Sequence, residues 1–131
     1  MVSWAWTRKS YEARVLVVPL DETSRAALPE GLEEGLTVEQ ADMVVLLAHD
    51  LGVVDDSAVI EICDAARAEG RLIAAVIVDA DLSWHGEAAR RSAVVIREAV
   101  DSVVVLRDVK LATAFVDVLR GGDREPVADA R

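Results

Sequence analysis

Four aspartates at the ends of apolar runs are the residues of this chain best suited to metal binding or acid–base chemistry. Each lies 29 positions after the previous one: Asp21, Asp50, Asp79 and Asp108. Carboxylate oxygens are preferred ligands of Mg²⁺, and paired carboxylates can divide into a general acid and a general base. Aspartate is also favoured at strand ends and helix starts, where it accepts hydrogen bonds from free backbone N–H groups. Base rates favour the second interpretation, and the sequence leaves both open.

The elements that position these aspartates are predicted from hydrophobic patterning. Four continuously apolar runs predict strands buried on both faces, at 14–19, 43–48, 72–78 and 102–106. Amphipathic patterns predict helices at 57–69, about 86–99 and about 109–120, while Pro29, Gly31 and Gly35 interrupt 22–40. This alternation predicts a three-layer α/β fold with a mostly parallel, Rossmann-like, four-stranded sheet. We expect a single domain over 1–120 and a flexible tail over 121–131.

A parallel sheet brings the carboxyl ends of its strands to one edge, where α/β proteins commonly bind ligands. The sequence therefore predicts a candidate ligand edge, with Asp56 and Asp81 nearby. Its members are Asp21, Asp50, Gly52, Asp55, Asp79 and Asp108.

The stretch AHDLGVVDDS, at 48–57, occupies the strand-to-helix junction at which many α/β proteins bind phosphate. A phosphate loop needs several glycines and free N–H groups, but this stretch offers only Gly52. Asp55 and Asp56 lie where the helix begins, so their carboxylates would occupy the N–H groups and repel an anion. Neither GxxxxGK[ST] nor GxGxxG occurs in the chain. We expect a degenerate nucleotide site.

The two histidines and the one cysteine carry weaker signals. His49 and His85 could act as ligands or bases, but no motif places a serine or cysteine nucleophile beside either of them. Cys63 falls on the apolar stripe of its predicted helix. We expect structural roles for all three residues.

Composition limits the classes of partner. The chain has 24 acidic and 14 basic residues, a net charge of −10 that disfavours nucleic acid and anionic lipid. It contains no apolar run of membrane-spanning length and no signal-peptide pattern, so we expect a cytoplasmic protein. Trp4 and Trp6 would face the same way in an extended segment, either covering the sheet or docking onto a second subunit.

The central part of the chain resembles the nucleotide domain of FtsZ, the tubulin-like bacterial division GTPase. The motifs that carry the resemblance occur in the family's order: ADMV at 41–44, AVIEICDAARAEG at 58–70, LIAAVIV at 72–78, WHG at 84–86 and VDSVVVL at 100–106. The residues that differ from the family lie at its nucleotide-binding positions. HDLGVVDD, at 49–56, replaces the family's glycine-rich loop, His85 replaces a nucleotide-binding glutamate, and Ala89 replaces an arginine, with Arg90 beside it. The resemblance implies a tubulin-like half-sheet without GTPase machinery.

We therefore expect a non-catalytic domain that acts through a protein partner or a homodimer, in regulation or as a scaffold, without a cofactor. One alternative is a Mg²⁺-dependent phosphoryl acceptor or small hydrolase that uses Asp50 or Asp79 with Lys110. This alternative rests on a resemblance to a response-regulator receiver domain, in which Asp21 and Glu22 would be the acidic pair. The chain lacks the fifth strand of such a domain and the Ser or Thr that ends its fourth strand. A small-ligand-binding module is the other alternative.

Overall fold

A computed structural model of the protein describes residues 13–28, 36–79 and 86–108, together with 110, 111, 114 and 115. Four parallel strands form one sheet, in the order in which they occur along the chain. They are β1 (Val15–Pro19), β2 (Met43–Ala48), β3 (Leu72–Val78) and β4 (Ser102–Leu106). The predicted parallel four-stranded sheet is confirmed, and only Arg14 falls outside the strand predicted for it.

The helices connect these strands. Helix α1 (Glu22–Ala27) follows β1, and a single 3₁₀ turn (Leu51–Val53) leads from β2 into helix α2 (Asp56–Ala68). Helix α3 (Glu87–Ala99) joins β3 to β4. The predicted bounds of α2 and α3 are correct to within one residue, because their apolar stripes and terminal glycines mark them clearly. Gly70 follows α2 with φ +71° and Gly86 precedes α3 with φ +90°, a backbone region that favours glycine.

One face of the sheet packs against α2 and α3. Alternate residues of the two central strands point to this side, and both helices bury their apolar stripes against them. The buried members of this cluster are Val44, Leu46, Ala48, Leu51, Val59, Cys63, Ala66, Ile73, Ala75, Ile77, Ala89, Ala93 and Ile96. Cys63 is thus a core residue, as its position on the stripe predicts.

The opposite face of the sheet forms a second buried cluster. Its buried residues are Val15, Val45, Leu47, Ala74, Val76 and Val78. Among the described residues, Leu28 and Phe115 pack against this side. The central strands are therefore buried on both faces, as expected of a three-layer α/β fold, and this explains why their sequences are continuously apolar.

Several predictions concern segments outside the described residues. Of the helix predicted at about 109–120, the structure describes four positions, all helical. The tail at 121–131, Trp4, Trp6, Asp81 and His85 lie outside the described ranges. In the irregular region before β2, Thr37 and Gln40 form a reciprocal cap, with Gln40 N–H donating to Thr37 Oγ1 at 3.3 Å and Thr37 N–H to Gln40 Oε1 at 3.0 Å. Within the described part of the chain, no helix has the length and apolar character needed to cross a bilayer.

Candidate functional site

Asp21 is the centre of the predicted ligand edge. It lies two residues after the end of β1 and caps α1, with its Oδ1 accepting the backbone N–H of Ser24 at 2.7 Å. Its Oδ2 accepts two further backbone N–H groups just beyond β2, from His49 at 2.7 Å and from Asp50 at 2.8 Å. Only 7% of the residue is exposed. The carboxylate therefore ties the end of β1 to the end of β2.

The ionisation of Asp21 reflects this environment. Burial raises the pKa of the carboxyl group, but the hydrogen bonds from the backbone of Asp50, His49 and Ser24 and from the Ser24 hydroxyl lower it. Their combined effect exceeds that of burial, so the pKa of Asp21 lies below its ordinary value of 3.8. Asp21 is consequently held as a carboxylate, with its oxygens directed at protein donors.

Ser24 lies beside His49, a pairing that the sequence does not predict. Ser24 Oγ is 2.7 Å from His49 Nδ1, although the two residues are 25 positions apart. No local motif places a serine beside His49; the contact arises because α1 folds back over the end of β2. The sequence signal that could have identified Ser24 is its position three residues after the helix-capping Asp21. This signal does not identify His49 as the partner of Ser24.

The Ser24–His49 pair lacks the features of a nucleophile with its base. Ser24 is fully buried, so its hydroxyl cannot reach a substrate carbonyl. Asp21 accepts the main-chain N–H of His49, whereas the third member of a catalytic triad orients the imidazole ring. This cluster instead satisfies buried polar groups where three elements meet.

Asp50 and Gly52 form a local turn. Asp50 caps the 3₁₀ turn, and its Oδ1 accepts the Gly52 N–H at 3.0 Å. The one glycine of the junction therefore has its N–H directed at a carboxylate. A Cβ added at Gly52 would lie 3.2 Å from that same oxygen, so a larger residue here requires the Asp50 carboxylate to shift by a few tenths of an ångström.

The start of α2 is closed by Asp55, as predicted, but the prediction that Asp56 also occupies its N–H groups is wrong. Asp55 Oδ1 accepts the N–H groups of Ser57 at 3.0 Å and Ala58 at 3.3 Å. Asp56 has a different role, since its Oδ1 accepts the hydroxyl of the buried Ser92 on α3 at 2.6 Å and its Oδ2 lies 3.9 Å from Arg91 Nε. Two N–H donors that could bind an anion here are already bonded to the chain's own carboxylate.

Asp108 bonds to the residues that follow it, and the backbone of Asp79 bonds to the end of the neighbouring strand β4. Asp108 Oδ1 accepts the Lys110 N–H at 2.9 Å, and the Asp79 N–H donates to the Leu106 carbonyl at 2.8 Å. Among the residues that the structure describes, no three His, Cys, Asp or Glu side chains form a group that could hold a metal ion. The edge thus brings Asp21, Asp50 and Gly52 together by hydrogen bonds, whereas Asp55 and Asp108 cap their own local turns and Asp79 pairs through its backbone with the end of β4.

The order of the strands bears on this edge as well. In open α/β sheets, ligands bind in a crevice at the point where the strand order reverses. The four described strands run from β1 to β4 in sequence without a reversal. The described sheet therefore has no such crevice between its strands.

Two further aspartates act at the opposite edge of the sheet. Asp42 Oδ2 accepts the Arg14 N–H at 2.8 Å, and Asp101 Oδ2 accepts the Ile73 N–H at 2.9 Å. Each precedes a strand and bonds to the start of the neighbouring strand. Asp42 belongs to the motif ADMV and Asp101 to the motif VDSVVVL, both of which contribute to the family resemblance. These two aspartates therefore have a structural role in this chain.

The sequence matches no protein-family model, and no curated protein is significantly similar to it. A functional assignment for this chain therefore depends on its own residues and geometry.

Proposed function

We propose that this chain is a non-catalytic, FtsZ/tubulin-like α/β domain that acts through protein–protein contacts, in regulation or as a scaffold, without GTPase activity. The observation that carries the proposal is the closed start of α2, where Asp55 occupies the N–H groups of Ser57 and Ala58. The FtsZ-like element of the proposal rests on the collinear motifs between 41 and 106.

The closed helix start opposes phosphate binding in two ways. A phosphate at this position would have to displace Asp55 from both N–H groups, and it would then lie beside the carboxylates of Asp55 and Asp56. The favourable field at a helix N-terminus is worth about 0.3–1 kcal/mol on a surface, which two nearby like charges offset. The junction has the position of a nucleotide loop without the groups that bind one.

The hydrogen bonds of the carboxylates at this edge also favour a structural role over acid–base catalysis. Asp21 uses both oxygens on backbone donors, and Asp50 and Asp108 each bond to an N–H two positions further along. A phosphoryl acceptor or a Mg²⁺ ligand needs carboxylate oxygens aimed together at one point. The geometry therefore supports the interaction role above the acidic-edge alternative.

Exposed aliphatic side chains on the helical layer support protein contacts. Ile60 on α2 is 48% exposed and Val94 on α3 is 51% exposed. Val94 lies on the side of α3 opposite its buried stripe, whereas Ile60 lies on a flank of α2. Outward-facing aliphatic residues surrounded by charges are typical of the core and rim of a protein interface.

Calorimetric titration of the full chain with GTP, with GDP and with MgCl₂ tests this proposal. We expect no binding tighter than about 1 mM, equivalent to about 4 kcal/mol, for any of the three. Nucleotide binding at micromolar concentration would refute the proposal. Binding of Mg²⁺ that is lost in Asp50→Asn and Asp79→Asn would instead establish the acidic-edge alternative.

A further inference from the structure

We propose that the outer edge of β4 binds an extended acidic segment of a partner protein, which adds to the sheet as a further strand. The inference rests on the proposed function in protein contacts and names the chemistry of the partner. The site, called the β4 edge below, consists of the outward-facing backbone groups of β4 and the flank of α3 that carries Arg90 and Arg97.

The outer side of β4 has backbone groups to which a further strand can bond. The Leu106 carbonyl accepts the Asp79 N–H at 2.8 Å, so Leu106 directs its backbone groups toward β3. Backbone groups of successive strand residues point to alternate sides, so those of Val103 and Val105 point away from β3. Among the described strands, only β3 pairs with β4, and Val105 is 36% exposed. Each of these two valines therefore presents an N–H donor and a carbonyl acceptor at the edge.

The opposite edge of the sheet is less suited to strand addition. The Leu20 N–H donates to the Leu47 carbonyl at 2.8 Å, so the even-numbered residues of β1 face β2 and Pro19 faces outward. Proline has no N–H, and proline on an edge strand is a common protection against pairing with another chain. The two outward-facing positions inside β4 are both valine. Strand addition is therefore favoured at β4.

Helix α3 places two arginines beside this edge. Ser92 Oγ donates to Asp56 Oδ1 of α2 at 2.6 Å, which marks the flank of α3 that faces α2. At about 100° per residue, Arg90 and Arg97 lie about 140–160° round the helix from Ser92 and within about 20° of each other. Both arginines are exposed. Because α3 connects β3 to β4 and contacts β4, the flank that faces away from α2 faces the β4 edge.

The positive charge of this flank is not neutralised within the described part of the chain. There, neither Arg90 nor Arg97 forms an ion pair. The carboxylates of Glu87 and Glu98 belong to positions about 60–100° further round α3, toward solvent. The carboxylate of Asp101, just before β4, bonds to a backbone N–H of β3. The flank is therefore locally basic on a chain whose net charge is −10.

The segment that fits this edge alternates acidic and apolar residues. Side chains of an added strand point in turn to the two faces of the sheet. Those on the α3 side lie beside Arg90 and Arg97, where carboxylates are favoured. Those on the other side extend the cluster against which Leu106 and Phe115 pack, where apolar residues are favoured. In strand addition of this kind, main-chain hydrogen bonds supply affinity and alternate side chains supply specificity.

A second copy of this chain fits the same edge poorly. Two β4 strands related by a two-fold axis pair in antiparallel fashion and keep both α3 helices on the same side of the joined sheet. The two α3 flanks then face each other, and Arg90 and Arg97 of one copy lie beside the same arginines of the other. Like charges placed together across an interface disfavour association. The β4 edge therefore selects an acidic partner over self-association.

A synthetic heptapeptide, acetyl-EVEVEVE-amide, tests the proposal on the full chain. Fluorescence anisotropy of the labelled peptide should show saturable binding with a dissociation constant below about 1 mM. Acetyl-KVKVKVK-amide reverses the charge of the peptide, and acetyl-EVEPEVE-amide removes its central N–H donor. Each of these control peptides should bind about tenfold more weakly or worse, since the first is repelled by the arginines and the second cannot complete the strand.

Amide hydrogen exchange locates the bound peptide. Saturating acetyl-EVEVEVE-amide should slow exchange at Val103 and Val105 about tenfold or more, because their N–H groups become hydrogen-bonded. The amide of Val104 faces β3 in the free protein, so its exchange should change less than about twofold. A peptide held by charge alone would leave all three exchange rates unchanged.

Charge-reversal variants test the basic flank. Arg90→Glu/Arg97→Glu should weaken binding of acetyl-EVEVEVE-amide about tenfold or more. The matched control, Arg14→Glu/Arg25→Glu, makes the same change of net charge at two exposed arginines on the β1 side of the sheet, and it should leave the constant within about twofold. Circular dichroism melting of each variant confirms that it is folded before binding is compared.

The outcomes separate this inference from the proposed function. Absence of saturable peptide binding, equal binding of either control peptide, unchanged exchange at Val103 and Val105, or equal effects of the two double variants each overturns the inference. Protection of the same two amides without peptide, rising with protein concentration, would also overturn it by assigning the edge to a second copy. None of these results alters the calorimetric test, in which nucleotide or Mg²⁺ binding refutes the proposed function itself.

Discussion

Asp21 Oδ2 accepts the backbone N–H of Asp50 at 2.8 Å, so one of two equivalent-looking aspartates positions the other. Both follow a strand and both are acidic, yet Asp21 is buried and Asp50 is exposed. The difference arises because α1 folds over Asp21 and brings its carboxylate to the end of β2. The edge is therefore organised by a hydrogen-bonded carboxylate rather than by a shared ligand.

We expect Asp21→Asn to destabilise the fold by about 2–4 kcal/mol, because three backbone N–H groups lose a charged acceptor and the new amide NH₂ opposes at least one of them. Urea unfolding at neutral pH measures this free energy. Asp50→Asn, which affects one exposed bond to Gly52, is the matched control and should cost less than about 1 kcal/mol. Equal effects of the two substitutions would contradict the role assigned to Asp21.

The stability contributed by Asp21 should depend on acid pH. Since its pKa is lowered in the folded protein, ionised Asp21 stabilises the fold above the ordinary pKa of 3.8, and this contribution is lost as the pH falls through the folded-state pKa. The difference in unfolding free energy between wild type and Asp21→Asn should therefore be smaller at about pH 3 than at about pH 6. A difference that is constant across this range would show that Asp21 ionisation does not stabilise the fold.

Asp55→Ala should destabilise the protein by about 1 kcal/mol, because the Ser57 and Ala58 N–H groups lose their cap. Asp55→Ser, which retains a capping oxygen, should recover most of that loss. Chemical denaturation of both variants gives the comparison. Calorimetry on Asp55→Ala with GTP adds a functional readout, and we expect no binding, since the junction still lacks the glycines of a phosphate loop.

Asp101→Ala should reduce stability by about 1–2 kcal/mol, because the N–H of the buried residue Ile73 loses its carboxylate partner. Asp42→Ala removes the corresponding but exposed bond to Arg14 and should cost less than about 1 kcal/mol. Thermal melting of the two variants shows which of them loses more stability. The reverse order would show that burial does not control the value of these strand caps.

The sheet and the two long helices could be predicted from sequence because their signals are local. Continuous apolar runs mark β2 and β3, and a stripe ending at Gly70 marks α2. The role of Asp55 was also predictable, since a helix cap bonds within three residues. The pairing of Ser24 with His49 was not predictable, because it depends on how α1 folds over the sheet across 25 positions. The sequence also did not distinguish Asp21 from the three other strand-end aspartates, because its burial likewise depends on how α1 folds over the sheet.

The sequential order of the strands has a consequence for how the chain acquires its structure. Each of β1 to β3 pairs with the strand that follows it in the chain, and no described strand is inserted between two earlier ones. Every new strand extends an edge that already exists, so the loop closed at each step spans only one helical connection. The described sheet can therefore assemble vectorially, one strand–helix unit at a time, as the chain emerges from the ribosome.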